Sequence, residues 1–380
     1  MINPVRYTAV FVAFLTLDLG YSNPARAQAA TCSAPKPVCT SRAAVFGISS
    51  FEPLGSAVRI GLNLLVTNRH VVADQAGAKV FLPGGKELNA TVIPTRYPGD
   101  LILLKVEDLP AGPIFKPGIG ATDGALFTIG ADVGRGTVRV YAPGKVLFLP
   151  ATGKPLARLH HSAYSQPGNS GGALTDDQGQ LVAITAAGGE GRNDAIPARE
   201  IARLRQESGP AYSADSKAIG LAYRDCFEAI DARQQRGRPP PLTDIDASHI
   251  DVRCRASKNR QFVDSAGQVL GMARRFDMAV ALFETSLDQD PNGINTRLGL
   301  AVTLHLARRY KDEIPHIKWL LGVMPEDAQV LRFAIQAGKW GGDAKLARQG
   351  LMLLQKHHPR MAPAARRFLD APARGNPAPR

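Results

Sequence analysis

The hydrophobic rhythm of the chain changes three times. A short apolar stretch, Thr8 to Leu17, follows the cation Arg6 and precedes Asp18 and then Ala25-Arg26-Ala27. A positive n-region, an apolar core and a small-residue cleavage site make an export signal, too short for a membrane span. From about Ala43 to Arg205 the apolar residues come as short β-branched, alternating runs broken by glycines, such as Gln180-Leu181-Val182-Ala183-Ile184, and predict an all-β domain. Beyond Arg205, Ala, Leu, Arg and Gln take over and predict a helix from about Asp215 to Gln235. The run Arg236-Gly237-Arg238-Pro239-Pro240-Pro241 cannot continue it and reads as a hinge or spacer.

The last third repeats. Pro291, Pro325 and Pro359 are spaced by 34 residues, and Arg275-Phe276 recurs at the same interval as Arg309-Tyr310. That is the period of tetratricopeptide repeats, and three units between Gln261 and Lys356 reach the number needed to bury a continuous core. Phe276 to Phe283 reads as the second helix of a unit, with Ala279 where helices approach and Phe283 as filler. Ala347 and Leu351 take those places in the third unit, whereas the middle unit has Glu313 and Ile317. The period implies a stacked helical surface separate from the cleft.

Three fragments in fixed order carry chemistry. Val66-Thr67-Asn68-Arg69-His70-Val71-Val72 delivers a histidine at a strand end, Gly99-Asp100-Leu101-Ile102-Leu103-Leu104 opens an aliphatic strand with an aspartate, and Gln166-Pro167-Gly168-Asn169-Ser170-Gly171-Gly172 sets a serine among glycines. Acyl transfer by a hydroxyl needs a nucleophile, an imidazole base and a buried carboxylate that orients the imidazole. The order His, Asp, Ser is that of chymotrypsin. Ser170 is thus the candidate nucleophile, His70 the base and Asp100 the orienter. The backbone N–H groups of Gly168 and Ser170 are the candidate oxyanion donors. Asp74 follows an apolar run rather than opening a buried strand, so Asp100 is preferred.

At these residues the chain resembles the high-temperature-requirement (HtrA) family of trypsin-like peptidases, and Asn193-Asp194-Ala195-Ile196-Pro197 resembles the segment that closes their second barrel. The resemblance runs from about Ala43 to Arg205 and implies two six-stranded antiparallel β-barrels with the triad between them. Ala173 stands where the family usually has proline, and no PDZ domain follows. The resemblance also places Tyr164 at the base of the primary specificity pocket, where a ring without a nearby acid disfavours Lys or Arg and leaves room for small aliphatic side chains. Asn169 stands where digestive trypsins carry an aspartate that pairs with a newly released N-terminus. An amide has no such charge, which implies an enzyme not activated by N-terminal clipping.

Four cysteines in an exported chain favour disulfides. Of three possible pairings, Cys32–Cys39 with Cys226–Cys254 keeps each bridge local. The formal net charge is +13, or +12 once Arg6, Arg26 and Asp18 leave with the signal. The basic residues are spread without interleaved aromatics, so a solvated face is favoured over nucleic-acid binding. No nucleotide fingerprint or metal cluster appears, and no cofactor is expected. His160 and His161 read as one solvated and one packed residue, and His357-His358 as cations at a helix end rather than metal ligands.

The fold expected is multidomain, an all-β double-barrel chymotrypsin-like protease domain followed by an all-α tetratricopeptide-like domain. Its parts are a signal peptide (1–27), a segment with Cys32 and Cys39 (28–42), the protease domain (43–205), a helical and Pro-rich linker (206–260), the repeats (261–360) and a tail (361–380). The function expected is an exported, periplasmic or secreted serine endopeptidase acting on protein or peptide substrates. Its repeats would recruit substrate or a protein partner, with no membrane span after signal cleavage. The alternative is a non-catalytic scaffold with a vestigial protease domain.

Overall fold

The computed structural model describes residues 32–117, 120–132, 137–234 and 241–371. The signal segment, most of the Arg236–Pro241 run and the end of the tail lie outside them. After a short helix α1 (Lys36–Ser41), six strands hydrogen-bond antiparallel in the order β1-β2-β3-β6-β5-β4 and close into a barrel. They are β1 (Val45–Ser49), β2 (Gly55–Gly61), β3 (Leu64–Thr67), β4 (Gly77–Phe81), β5 (Glu87–Ile93) and β6 (Ile102–Val106). A one-turn helix, α2 (Arg69–Val72), interrupts the series after β3. The aliphatic run at Ile102 forms β6 because both its faces are covered, and only Lys105 reaches solvent.

The second half is one seven-stranded sheet, in the order β8-β7-β11-β12-β13-β10-β9, rather than a second six-stranded barrel. It comprises β7 (Phe127–Asp132), β8 (Thr137–Val140), β9 (Val146–Phe148), β10 (Leu159–His161), β11 (Ala173–Thr175), β12 (Leu181–Gly189) and β13 (Arg192–Pro197), followed by α3 (Glu200–Gln206). Its edge strand β9 turns to the helical region, where Phe148 stacks on Trp319 at 5.3 Å. Packing thus covers an edge that barrel closure would otherwise remove. Ile129, Ile184 and Ile196 pack with Val58, Val66 and Leu103 in a core shared by the two halves.

The rest is helical: α4 (Ser213–Gln234), α5 (Asp244–Ser257), α6 (Arg260–Met272), α7 (Phe276–Gln289), α8 (Ile294–Leu306), α9 (Tyr310–Val323), α10 (Ala328–Gly341), α11 (Ala344–His357) and α12 (Ala362–Asp370). From α6 onward, alternate helices begin at Arg260, Ile294, Ala328 and Ala362, each 34 residues after the last; Phe276, Tyr310 and Ala344 repeat the interval. The turns repeat too: Arg274 and Arg308 adopt φ of 63° and 60° where the third turn has Gly342 at 87°. Ala279 and Phe283 are fully buried, and a Cβ on Gly267 or Gly299 would press within 2.9 or 2.7 Å of the Phe283 ring. Glu313 is buried as well, and His305 Nδ1 meets its carboxylate at 2.9 Å, which explains how this repeat tolerates an acid at a small-residue position.

The helices on either side of the Arg236–Pro241 run, α4 and α5, pack into the rest of the fold. α4 lies against α2 so closely that a Cβ on Gly220 would sit 2.4 Å from the Ala73 carbonyl oxygen. Arg69 Nη1 donates to Ser216 Oγ at 3.0 Å, and Arg224 pairs with Asp74 at 2.5 Å. Ala73 joins Tyr223, Cys226, Phe262 and Phe283 in one buried cluster. The Cys226–Cys254 disulfide ties α4 to α5, while Cys32 and Cys39 are disulfide-bonded too, with no cysteine free among the described residues. A 22-residue helix gives no sequence signal for what it packs on, so its continuity with the protease is invisible until the chain is folded.

Candidate active site

Asp100 and His70 are fixed by the two chain segments that meet beside β6. The side chain of Asn68 and the backbone N–H of Arg69 both donate to the Asp100 carbonyl oxygen, at 2.9 and 3.3 Å. The His70 N–H donates to Asp100 Oδ1 at 2.9 Å, and His70 Nδ1 meets Oδ2 at 2.7 Å. The carboxylate therefore grips the residue at two points, its backbone N–H and its Nδ1, and so fixes the position of the imidazole. Both residues are buried. Burial works against the charge of Asp100, and His70, aided by Arg158, outweighs it, so the carboxyl is held below the usual range.

Ser170 follows a loop pinned to β2. Ser56 N–H donates to the Ser170 carbonyl oxygen at 2.7 Å, and Ser56 Oγ donates to the Gly168 carbonyl oxygen at 2.6 Å. Gly171 has φ +82°, and a Cβ there would lie 2.1 Å from the Ser56 carbonyl oxygen, so only glycine fits. Along the loop, the N–H groups of Asn169, Gly171 and Gly172 are taken by Gln166, Thr185 and Asn169 carbonyl oxygens. Those of Gly168 and Ser170 have no acceptor among the described residues, leaving two donors beside the hydroxyl. Ser170 Oγ donates to the Ala186 carbonyl oxygen at 3.2 Å, and no hydrogen bond joins it to His70 among the described residues. Both nevertheless line the same cleft, of about 540 Å³.

Asn169 is fully buried and its amide is used at both ends: Nδ2 donates to the Ala131 carbonyl oxygen at 3.0 Å, and Oδ1 accepts from Gln166 N–H at 2.9 Å. Tyr164 lies elsewhere. Its ring is half exposed, stacks on Tyr141 at 5.8 Å and borders a separate hollow with Arg139 and Pro143. What flanks the nucleophile instead is the end of β12, Ala186 to Gly188. His160 and His161 are both buried, so neither is solvated: His160 pairs with Asp290 at 2.9 Å, whereas His161 finds no hydrogen-bond partner for its ring among the described residues, and burial pushes it down to about 4.

Several residues of the site come from far along the chain. The cleft wall opposite the nucleophile loop includes Phe227 and Ile230 of α4 and Phe262 of α6, and the Phe262 ring packs edge-on to His70 at 6.4 Å. Glu52, in the loop before β2, also lines it; burial pushes its carboxyl up, with His70 opposing and Asp231 adding to the rise. A lone aromatic 192 positions beyond the histidine carries no sequence signal. Among the described residues no cluster of His, Cys, Asp or Glu could hold a metal ion, and no helix is long and apolar enough to cross a membrane.

A closed six-stranded barrel, a second sheet packed on it and a His-Asp pair facing a serine loop together define a trypsin-like peptidase domain, and residues 55–184 match the trypsin-like peptidase domain family. Within that class the chain is similar to HtrA proteases. The chain is 26% identical to the serine protease Do-like HtrA of Lactobacillus helveticus over 39% of this chain and 40% of that protein. It is 25% identical to the Bacillus subtilis protein of the same name over 47% and 43%. It thus spans about two fifths of the length of the curated relatives it matches. A solved structure of the HtrA-type protease AlgW with a tripeptide is 29% identical, covering 45% of this chain and 61% of that one, with a TM-score of 0.38.

Proposed function

We propose that the protein is an exported serine endopeptidase whose cleft is built jointly by the protease domain and the helical region. The observation that carries the reading is the two-point grip of Asp100 on His70 in a cleft shared with Ser170. In this mechanism Ser170 Oγ leaves the Ala186 carbonyl, turns to His70 Nε2, loses its proton there and attacks the scissile carbonyl. The Gly168 and Ser170 N–H groups meet the oxyanion, and the imidazolium returns the proton to the leaving amine. The N-terminal signal and the disulfides support a site of action outside the cytoplasm. The 34-residue helix pairs support a tetratricopeptide-like surface for a protein substrate or partner.

A fluorophosphonate probe tests the reading directly. It should label Ser170 in the folded protein, and labelling should collapse in His70→Ala by several powers of ten. Hydrolysis undiminished in Ser170→Ala would refute the assignment.

A further inference from the structure

The triad carboxylate is not the end of its own charge chain. Arg158, buried just ahead of β10, brings Nη2 to 3.7 Å from Asp100 Oδ2 and donates from Nη1 to Asp194 Oδ1 at 2.8 Å. The other oxygen of Asp194 is held by Arg260, the first residue of α6, through its Nη2. Arg260 Nε lies 3.7 Å from Asp290 Oδ2, which His160 Nε2 also meets at 2.9 Å. Signs therefore alternate from Asp100 through Arg158, Asp194 and Arg260 to Asp290, across the boundary between the protease domain and the helices. Burial resists the Asp194 charge, but the two guanidiniums more than offset it and hold its carboxyl well below the usual range. Desolvation likewise resists the charge of Arg158, and Asp194 and Asp100 more than restore it. A buried cation in direct contact with a triad aspartate shapes what that aspartate can do for its histidine.

We propose that Arg158 is a positioning residue of the triad, facing the Asp100 carboxylate with a fixed positive charge, and that Arg260 of the helical region holds it in place through Asp194. The inference rests on the triad reading above. Arg158 leaves Asp100 oriented toward His70 while drawing part of the carboxylate's field to itself. The other charged or titratable groups around the pair are Glu52 before β2, Arg69 of α2, and Tyr223 and Asp231 of α4. None of these joins Asp194 to Asp100.

The test is the titration of His70 in the full chain, followed by NMR of the imidazole and assigned by comparison with His70→Gln. Arg158→Gln, which keeps a donor for Asp194 but removes the charge, should raise the His70 midpoint by on the order of one pH unit. The acid limb of fluorophosphonate labelling at Ser170 should move with it, whereas Arg158→Lys should stay near the parent. If Arg158→Gln does not fold, Arg260→Gln carries the same test and should shift the midpoint in the same direction by less. A folded variant of either kind whose His70 midpoint stays within a few tenths of the parent overturns the proposal. Because the titration is read without turnover, a shifted midpoint in a protein that labels nothing would refute the protease reading and leave the role of Arg158 standing.

Discussion

Replacing Asn169 with aspartate changes no atom's position and adds one charge at the most buried point of the nucleophile loop. The Asn169 side chain is fully enclosed, with Nδ2 donating to the Ala131 carbonyl oxygen at 3.0 Å. A carboxylate oxygen there would face that carbonyl with no proton between them. Arg139, on the neighbouring strand β8, is already paired with Asp132 at 2.8 Å. In its protonated form the new acid restores the lost hydrogen bond, a change of about 1 kcal/mol or less. In its ionised form it is an unpaired buried charge, for which pKa increases on the order of 2 to 4 units, or about 3 to 5 kcal/mol, are expected. The folded pKa is raised above the unfolded value of about 3.9, so the variant keeps nearly full stability below pH 4. Stability then falls as pH rises through the unfolded pKa and levels off above the folded one. Urea unfolding followed by circular dichroism across pH 4 to 8 measures the loss, and fluorophosphonate labelling reports whether the loop around Ser170 disorders first. Equal unfolding midpoints for parent and variant at pH 7.5 would refute the argument that the amide orders this loop without a charged partner.

Gly171→Ala should abolish labelling of Ser170, because its Cβ would meet the Ser56 carbonyl oxygen at 2.1 Å and the Thr67 hydroxyl at 2.2 Å; a variant that labels normally would show that the loop can shift. Arg274→Gly should stabilise the helical region by roughly 1 kcal/mol, since φ of 63° costs a side chain what glycine escapes; an unchanged or lower unfolding midpoint would contradict the equivalence of this turn with that of Gly342.

The β-domain and the pair His70 and Asp100 were legible because each rests on local signals: an aliphatic strand opened by an acid, a histidine closing another, a serine among glycines whose Cβ positions are blocked. The 34-residue spacing of the helices was legible because a fixed interval is a property of sequence alone. What escaped was long-range. The contact between Gly220 and Ala73, the packing of Phe262 on His70 and the chain from Arg158 to Arg260 depend on surfaces brought together by folding. An arginine in the loop before β10 and a phenylalanine in a helix of the last third announce nothing about a histidine at position 70. The expected separation of repeats and cleft failed for this reason, and Tyr164 lies outside the cleft because the hollow beside Tyr141 takes its ring.

α6 carries Arg260 and Phe262 two positions apart, one gripping Asp194 and the other against the His70 ring. It is also the first helix of the 34-residue series. Each pair in such a stack contacts only its neighbours, so α6 meets the rest of the series through the helices packed directly on it. A slide of α6 by a single residue's rise, about 1.5 Å, would unseat the ring and the guanidinium together. The wall of the candidate cleft is thus also the first rung of the helical stack.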